Sequence, residues 1–585
     1  MKKLLFVFVL LFVGYPFSGG FVYCNAADNI NPNKPKIRFV LEKNIVGGEN
    51  ILTQGMFQDI NGNDLNNIVF VIKYDFILND DIIIPANSVL EFAGGSISKH
   101  GLKGTVQNST LYAKWFKDSA SLIYSINNLT GYNKIELESG KTYLFDEELS
   151  PKCSVIIKGN YATIGRANVS DMSKPIIKIS VDKGIESITF DKVIFDGGVV
   201  SGLPIEIDYH QNVVDINNVS KVVMKNVRFE NFRAPYRTGV SPSNDFVNIA
   251  NYNSVKFDNV AFKNNVLYGE VVVLHPAGGD ATPASNVSND LVEITNSVFD
   301  FRGGRCYTAI NCLGGRLKFD KNEIYGSIGA LNAYVHDSYI TNNIYADAES
   351  GFVDLSEQGK FYSYNVDITN NTIKNIKKFN HSVYGKNSTH LLECYGAENI
   401  TVVNNIYEPS STGSDSDGAG HVFSMSNGTK NVLIKKNRIL CNGQLYGAIG
   451  GEPNENIRFV DNYVYQGNRA MYGLIRLNEE KIISFERNTF VVSNSEKERI
   501  TGALVFIDKK GQTLNGIRFT KNKFNCSIAT PLFVYVGKGE YPAINNLELR
   551  RNKTVGNNMP VSIRNKGGNP AKMKNNRGLL ISEDR

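Results

Sequence analysis

The sequence predicts an all-β chain wound into a right-handed, single-stranded parallel β-helix. Three observations carry that expectation. One eight-residue pattern (apolar, any, apolar, any, any, Asn or Val and once Ser, any, apolar) recurs thirteen times between positions 188 and 554. Copies include ITFDKVIF at 188–195, VKFDNVAF at 255–262, ITVVNNIY at 400–407 and IRFTKNKF at 517–524. The sixth letter falls at Val193, Val227, Val260, Ser297, Asn322, Asn343, Asn371, Asn405, Asn437, Asn462, Asn488, Asn522 and Asn552, in steps of 21 to 37 residues. Within each copy apolar and polar residues alternate, which is strand period, and Val, Ile, Phe and Tyr dominate. A short-strand unit of this kind cannot bury its apolar face alone and must stack on its neighbours. Asn at one corner of every coil can tolerate left-handed backbone and bond its equivalents above and below, so the markers read as structural.

The elements follow in chain order. Residues 1–26 read as a secretion signal, with Lys2 and Lys3, an apolar run over 4–13, and Cys24-Asn25-Ala26 at its end. Residues 27–80 form an N-terminal extension, 81–557 the β-helix domain, and 558–585 a polar, basic tail or cap. Residues 82–113 (IIIPANSVLEFAGGSISKHGLKGTVQNSTLYA) alternate around a Gly-Gly turn, as opening coils would. Regular coils are expected from about 184 onward.

Composition excludes several classes. The net charge of +6 falls to +4 once Lys2 and Lys3 leave with the signal, too mild for a nucleic-acid partner. Six cysteines remain, none at CxxC spacing, so zinc has no support. Cys306 and Cys312 are the closest pair, in an exported chain that could form a disulfide. No membrane span is expected after signal cleavage, and the chain is expected to be a monomer in the periplasm, at the cell surface or outside the cell. Arg302, Arg305, Arg316 and Lys318 have no acid between them and could face an acidic polymer.

Alternation points to a site on the strand that precedes each marker pattern. With Val272 and Leu274 inward, His275 faces out; with Ala333 and Val335 inward, so do Asn332, Tyr334 and His336. The same rule turns out Asp354, Glu393, Tyr395, Ser424, Ser426, Arg476 and Asp508, with His390 on or beside the column. A face of His, Tyr, Asn, Asp, Glu and Arg departs from the Lys, Glu, Thr and Ser of a plain solvated sheet.

The IPANSVLEFAGGSIS opening, the Asn-marked coils and the secretion signal resemble the pectate-lyase-like right-handed β-helix superfamily, from about Ile82 onward. That superfamily implies an exported protein acting on, or binding, polysaccharide. The NTD, DD, GHG and RIK set of its polygalacturonases is absent, GAGH at 418–421 being only a partial echo. RAPYR at 233–237 is the nearest approach to the RxPxR element of its pectate lyases. No catalytic residue carries over by motif. The resemblance and the face together lead to a polysaccharide lyase that cleaves uronate polymers by β-elimination. Glycosaminoglycans (chondroitin, dermatan, hyaluronan or heparin type) are favoured over pectate. His275, His336 and His390 are base candidates, with His336 or His275 preferred, and Tyr395 is the preferred acid beside Tyr334. Asn311, Arg305 and Arg476 could pair with the substrate carboxylate. Glu393 and Asp354 could hold Ca2+ or orient a histidine. Rival readings are a hydrolase using a carboxylate pair and a non-catalytic carbohydrate-binding protein.

Overall fold

A computed structural model describes residues 37–584, except 99–105, 108–109, 130–132, 168–174, 199–204, 207–211, 234–245, 268, 277–289, 303–305, 356, 359–360, 378, 382–384, 388, 411–420, 442, 449–450, 467–473, 478–479, 493–504, 508–513, 527–532, 536–543, 557–558 and 565–569. The expected leader lies outside the described residues. Among the described residues no helix is long and apolar enough to cross a membrane.

The chain divides into two compact units. In the first, strands Ile37–Leu41, Ile68–Ile72 and Val89–Phe92 pair in parallel, and Glu49–Leu52, Phe76–Leu78 and Ile97–Ser98 form a second parallel set. Phe57 packs edge-on against Phe70 at 4.8 Å in its core. Among the described residues one α-helix, Ser119–Asn127, is present, capped by Asp118, whose carboxylate accepts the Ser121 N–H at 2.8 Å.

The second unit holds the repeat. Each coil contributes three short parallel strands, as in His390–Tyr395, Glu398–Val403 and Ile406–Glu408. These pair in register with His421–Ser426, Lys430–Lys435 and Arg438–Cys441 of the next coil. The architecture is the expected parallel β-helix. The inward positions of the repeat stack like on like: Phe195, Phe229, Phe262 and Phe299 form one column with centroids 4.8–5.2 Å apart. Phe459, Phe485 and Phe519 form another at 4.7–4.8 Å. Each such contact adds about 0.5–1.5 kcal/mol to the burial of the rings.

The marker residues build a continuous ladder. Asn405 accepts the Asn371 N–H and Nδ2 at 2.8 and 2.9 Å through Oδ1, and donates from Nδ2 to Ile368 O and Asn437 Oδ1 at 2.8 and 3.0 Å. The same pattern runs from Asn322 to Asn576. Ser297 joins through Oγ, which accepts the Val260 N–H at 3.1 Å. Left-handed backbone falls one residue earlier than expected, at Asn342, Asn370, Asn404, Lys436 and Asp461, with φ of 56–59°. The residue before the marker turns the corner, and the marker satisfies the polar groups that the corner exposes. Cys306, Cys312, Cys394 and Cys441 are buried free thiols, so the Cys306–Cys312 disulfide is not formed.

Candidate functional site

The strands that precede each marker pattern stack into one sheet. Its outward positions form a row in register: Val273, Asn311, Asn332, Asp354, Glu393, Ser424, Gly447 and Arg476. Asn332, Asp354, Glu393 and Arg476 are half-buried and lie on the expected face. A neighbouring row carries Ala250 and His275 at one end, and Tyr395 with Ser426 further along.

A bulge at the start of these strands adds a third row. Leu445 and Tyr446 both donate to Leu474 O, at 2.7 and 3.4 Å, so two successive side chains turn inward. The buried pairs Phe352–Val353, Leu391–Leu392 and Val422–Phe423 mark the same step in other coils. The preceding residue consequently joins the outward row: Gly351 and His390 are partners there, as are His421 and Gln444.

Two histidines sit in this row with opposite surroundings. The His390 ring folds over Gly351, where any Cβ would collide with it. It brings Nε2 onto Asp354 Oδ1 and Nδ1 to 3.8 Å from Glu393 Oε2. Glu393 in turn accepts the Tyr395 hydroxyl at 2.6 Å and the Ser424 hydroxyl at 3.3 Å. Tyr395, Glu393, His390 and Asp354 thus form one chain of polar contacts across two coils. Burial, then the charge of Glu393, pushes the Tyr395 phenol well above its ordinary pKa, so it holds its proton at neutral pH.

His421 leans the other way, over Gly447, where a Cβ would again collide with the ring. It is 4% exposed, and Gln444 beside it 1%. Among the described residues neither ring nitrogen of His421 and neither amide atom of Gln444 makes a well-formed hydrogen bond. Burial, then the Arg476 cation, lowers the His421 pKa to about 4, with the nearby Gln444 amide opposing the shift. The ring is neutral at pH 7. Buried polar groups without partners are uncommon away from binding sites, because each costs about 1–3 kcal/mol.

Other expected residues fall elsewhere. His336 does not face out with Tyr334. The chain turns after Val335, and His336 opens the next strand, His336–Thr341. It is buried there, stacked on Tyr364 at 5.1 Å with Nδ1 on Asp337 at 2.8 Å. His275 is half-buried, but its coil lies four register steps from Glu393, roughly 19 Å at the spacing of stacked strands. Neither of the two preferred bases therefore joins the Asp354–His390–Glu393 cluster. Asn311 is buried, donating to Glu270 at 2.7 Å two coils below Asp354. Tyr334 is half-buried on the expected face. Arg305 and Asp508 lie outside the described residues. Within the basic cluster, Arg302 is paired with Asp300 at 2.6 Å and Lys318 lies 3.5 Å from Glu293.

Sequence reasoning missed His421 and Gln444. Strict alternation places both inward, and the only signal against it is the adjacent apolar pair that follows each. Asp354, His390 and Glu393 offer ligand atoms within 4.8 Å of one another and could hold a cation. One imidazole with two carboxylates is a mixed donor set, closer to the preference of Mn2+ or Zn2+ than to the all-oxygen shell of Ca2+.

No protein-family model matches the chain, and no curated protein sequence matches it. Among solved structures, PfbA, a surface adhesin of Streptococcus pneumoniae, is similar over 72% of this chain and 90% of its own, at 13% identity and a TM-score of 0.32. The A-module of the mannuronan C-5 epimerase AlgE6 of Azotobacter vinelandii is similar over 81% of this chain and 100% of its own, at 10% identity and 0.28. A double mutant of the periplasmic alginate epimerase AlgG is similar over 74% of this chain and 78% of its own, at 10% identity and 0.24. Likeness of this size assigns no function. Fold and site together define a parallel β-helix protein with a buried, titratable cluster on one outward sheet.

Proposed function

We propose that the chain is an exported polysaccharide lyase that cleaves uronate polymers by β-elimination, with glycosaminoglycans favoured over pectate. The observation that carries this reading is the pairing of a neutral, unpartnered imidazole, His421, with a protonated phenol, Tyr395, on one side of the coil stack. Elimination needs both: a base for the C5 proton and an acid for the leaving O4.

The substrate carboxylate docks against Arg476, which spreads the charge that develops at C5. Burial is the main cause of the lowered His421 pKa and the Arg476 cation the second, and pairing offsets that second cause, so binding makes the imidazole a better base. His421 takes the C5 proton, the C4–O4 bond breaks as the C4–C5 double bond forms, and Tyr395 protonates O4. Glu393, held by Ser424 and His390, keeps the phenol oriented, and on recovery His421 releases the C5 proton to solvent while the Tyr395 phenolate regains one. His390 and Asp354 anchor that carboxylate as a positioning pair.

Asp354 and Glu393 are register partners that flank the His390 ring. That arrangement favours elimination over a hydrolase that needs the gap between two carboxylates for the scissile bond. The test is ultraviolet absorbance of unsaturated ends, followed with hyaluronan, chondroitin, dermatan, heparin, alginate and polygalacturonate. A rise on one of the first four that disappears in His421→Ala supports the reading. No rise on any of them sinks it, and reducing ends without absorbance would identify a hydrolase.

A further inference from the structure

The same three coils that carry His390, His421 and Gln444 present a second built face, on the sheet formed by Ile406–Glu408, Arg438–Cys441 and Tyr463–Gln466. Its outward row runs in register from Arg438 through Tyr463 and Thr489 to Lys523 and Lys553. The neighbouring outward row places Tyr465 beside Tyr463. Tyr463 is 45% exposed, although an aromatic ring at an outward strand position is expected to find cover. Around it Glu408, Arg438, Tyr463 and Tyr465 line a shallow cavity of about 170 Å³. Small-molecule pockets run from about 300 Å³ upward, so this hollow does not enclose a ligand; it is a platform for one side of a larger one.

Charge selects the class of ligand. Glu408 lies 3.5 Å from the Arg438 Nε, which leaves the remaining N–H groups of a 70% exposed guanidinium side chain turned to solvent. Lys523 and Lys553 are exposed further along the same row. Three cations face one acid. Four register steps separate Arg438 from Lys553, roughly 19 Å at the spacing of stacked strands. A polymer laid along the coil axis meets an arginine, an aromatic ring and then two lysines, all in one line.

We infer that this face is a second, non-catalytic holding site for an acidic polysaccharide, with Tyr463 stacking on a sugar ring and Arg438, Lys523 and Lys553 taking its carboxylate or sulfate groups. The identity of the polymer as the one cleaved at His421 rests on the function proposed above. Because this face and the catalytic sheet belong to the same coils, one long chain can engage both, and holding it at one raises its effective concentration at the other.

The experiment compares wild type with the double variant Tyr463→Ala, Arg438→Ala, both side chains being exposed enough to change without loss of core. Affinity electrophoresis in gels containing hyaluronan, chondroitin sulfate or a neutral glucan reads binding without turnover. Ultraviolet assays on polymer and on a tetrasaccharide of it read the coupling to cleavage. The expected result is roughly five- to tenfold weaker retention on the acidic polymer, a KM for polymer raised to match, and tetrasaccharide kcat/KM unchanged. Lys523→Glu with Lys553→Glu should weaken retention further and flatten its salt dependence. Retention within twofold of wild type overturns the inference, as does equal retention on the neutral glucan or an equal loss on the tetrasaccharide. A wild-type protein that no acidic polymer retains, although it still cleaves the tetrasaccharide through His421, rejects this face and leaves the catalytic reading standing. Retention without any cleavage does the reverse.

Discussion

Replacing Gly351 with alanine tests the site without touching any group that does chemistry. The position lies in the outward row beneath His390, and the imidazole occupies the space a Cβ would take, well inside the 3.0 Å that Cβ contacts respect. The obstructing atoms belong to a side chain, so the backbone need not move; the ring must retreat by roughly 1 Å or more, and it leaves Asp354 as it does so. A misplacement of about 1 Å in a catalytic constellation costs on the order of 10²-fold in rate. Gly329 supplies the control. It stands at the same step of a lower coil, and the nearest atoms to its Cβ are Tyr307 O at 3.5 Å and Thr308 Oγ1 at 3.6 Å, ordinary contacts. Gly351→Ala should therefore lose about 100-fold in kcat/KM, measured as the initial rise in ultraviolet absorbance on the uronate polymer. Gly329→Ala should stay within about threefold, and both variants should melt close to wild type. Full activity in Gly351→Ala would refute the claim that His390 must lie against Asp354. An equal loss in Gly329→Ala would show that the sheet, and not the histidine, is being perturbed.

Three further outcomes follow from the same geometry. Tyr395→Phe removes the phenolic proton and leaves Glu393 with Ser424, so kcat should fall by about 10²–10⁴ with KM nearly unchanged; a loss confined to KM would assign Tyr395 to binding. His421 stays neutral in the folded chain down to about pH 4, whereas an unfolded histidine protonates near 6.5. Between those values the unfolded chain binds more protons, so stability falls as the pH drops, by on the order of 3 kcal/mol at most. His421→Gln should flatten the dependence of melting temperature on pH across that window, and an unchanged slope would contradict the burial argument. Asn405→Ala strips partners from the Asn371 N–H, the Ile368 carbonyl and the Asn437 side chain, a cost of roughly 3–6 kcal/mol in denaturant unfolding. Asn399→Gly, on an exposed ladder at φ +58°, keeps the left-handed backbone and should cost less than about 1 kcal/mol.

The ladder and the site differ in how far the sequence could disclose them, and the difference is physical. The marker pattern is legible because one letter repeats wherever one structural demand repeats. Each coil must satisfy the corner of its neighbour, and Asn does so with an amide that both donates and accepts. Register follows from it, which is why Asp354, Glu393, Ser424 and Arg476 fall in one row as alternation predicts. Alternation fails where the backbone stops being a regular strand. At Val335 the chain turns a corner, so counting on from Ala333 sends His336 outward when it packs under Tyr364. At the opposite end of the strand the bulge shifts the parity, so counting back from Leu392 sends His390 inward and counting back from Phe423 does the same to His421. The sequence does hold a trace of that step: Leu391–Leu392 and Val422–Phe423 are adjacent apolar pairs in strands that otherwise alternate, and both members of each are buried. A pair of this kind at the start of a repeat strand marks a bulge, and the polar residue just before it belongs to the outer face. Applied to Leu445–Tyr446, the same rule picks out Gln444, the second member of the unpartnered pair. The glycines extend the argument, since Gly351 and Gly447 are the places where a neighbouring imidazole fills the volume a side chain would occupy. The two histidines of the site are thus marked by two departures from the repeat, a doubled apolar letter and a missing Cβ.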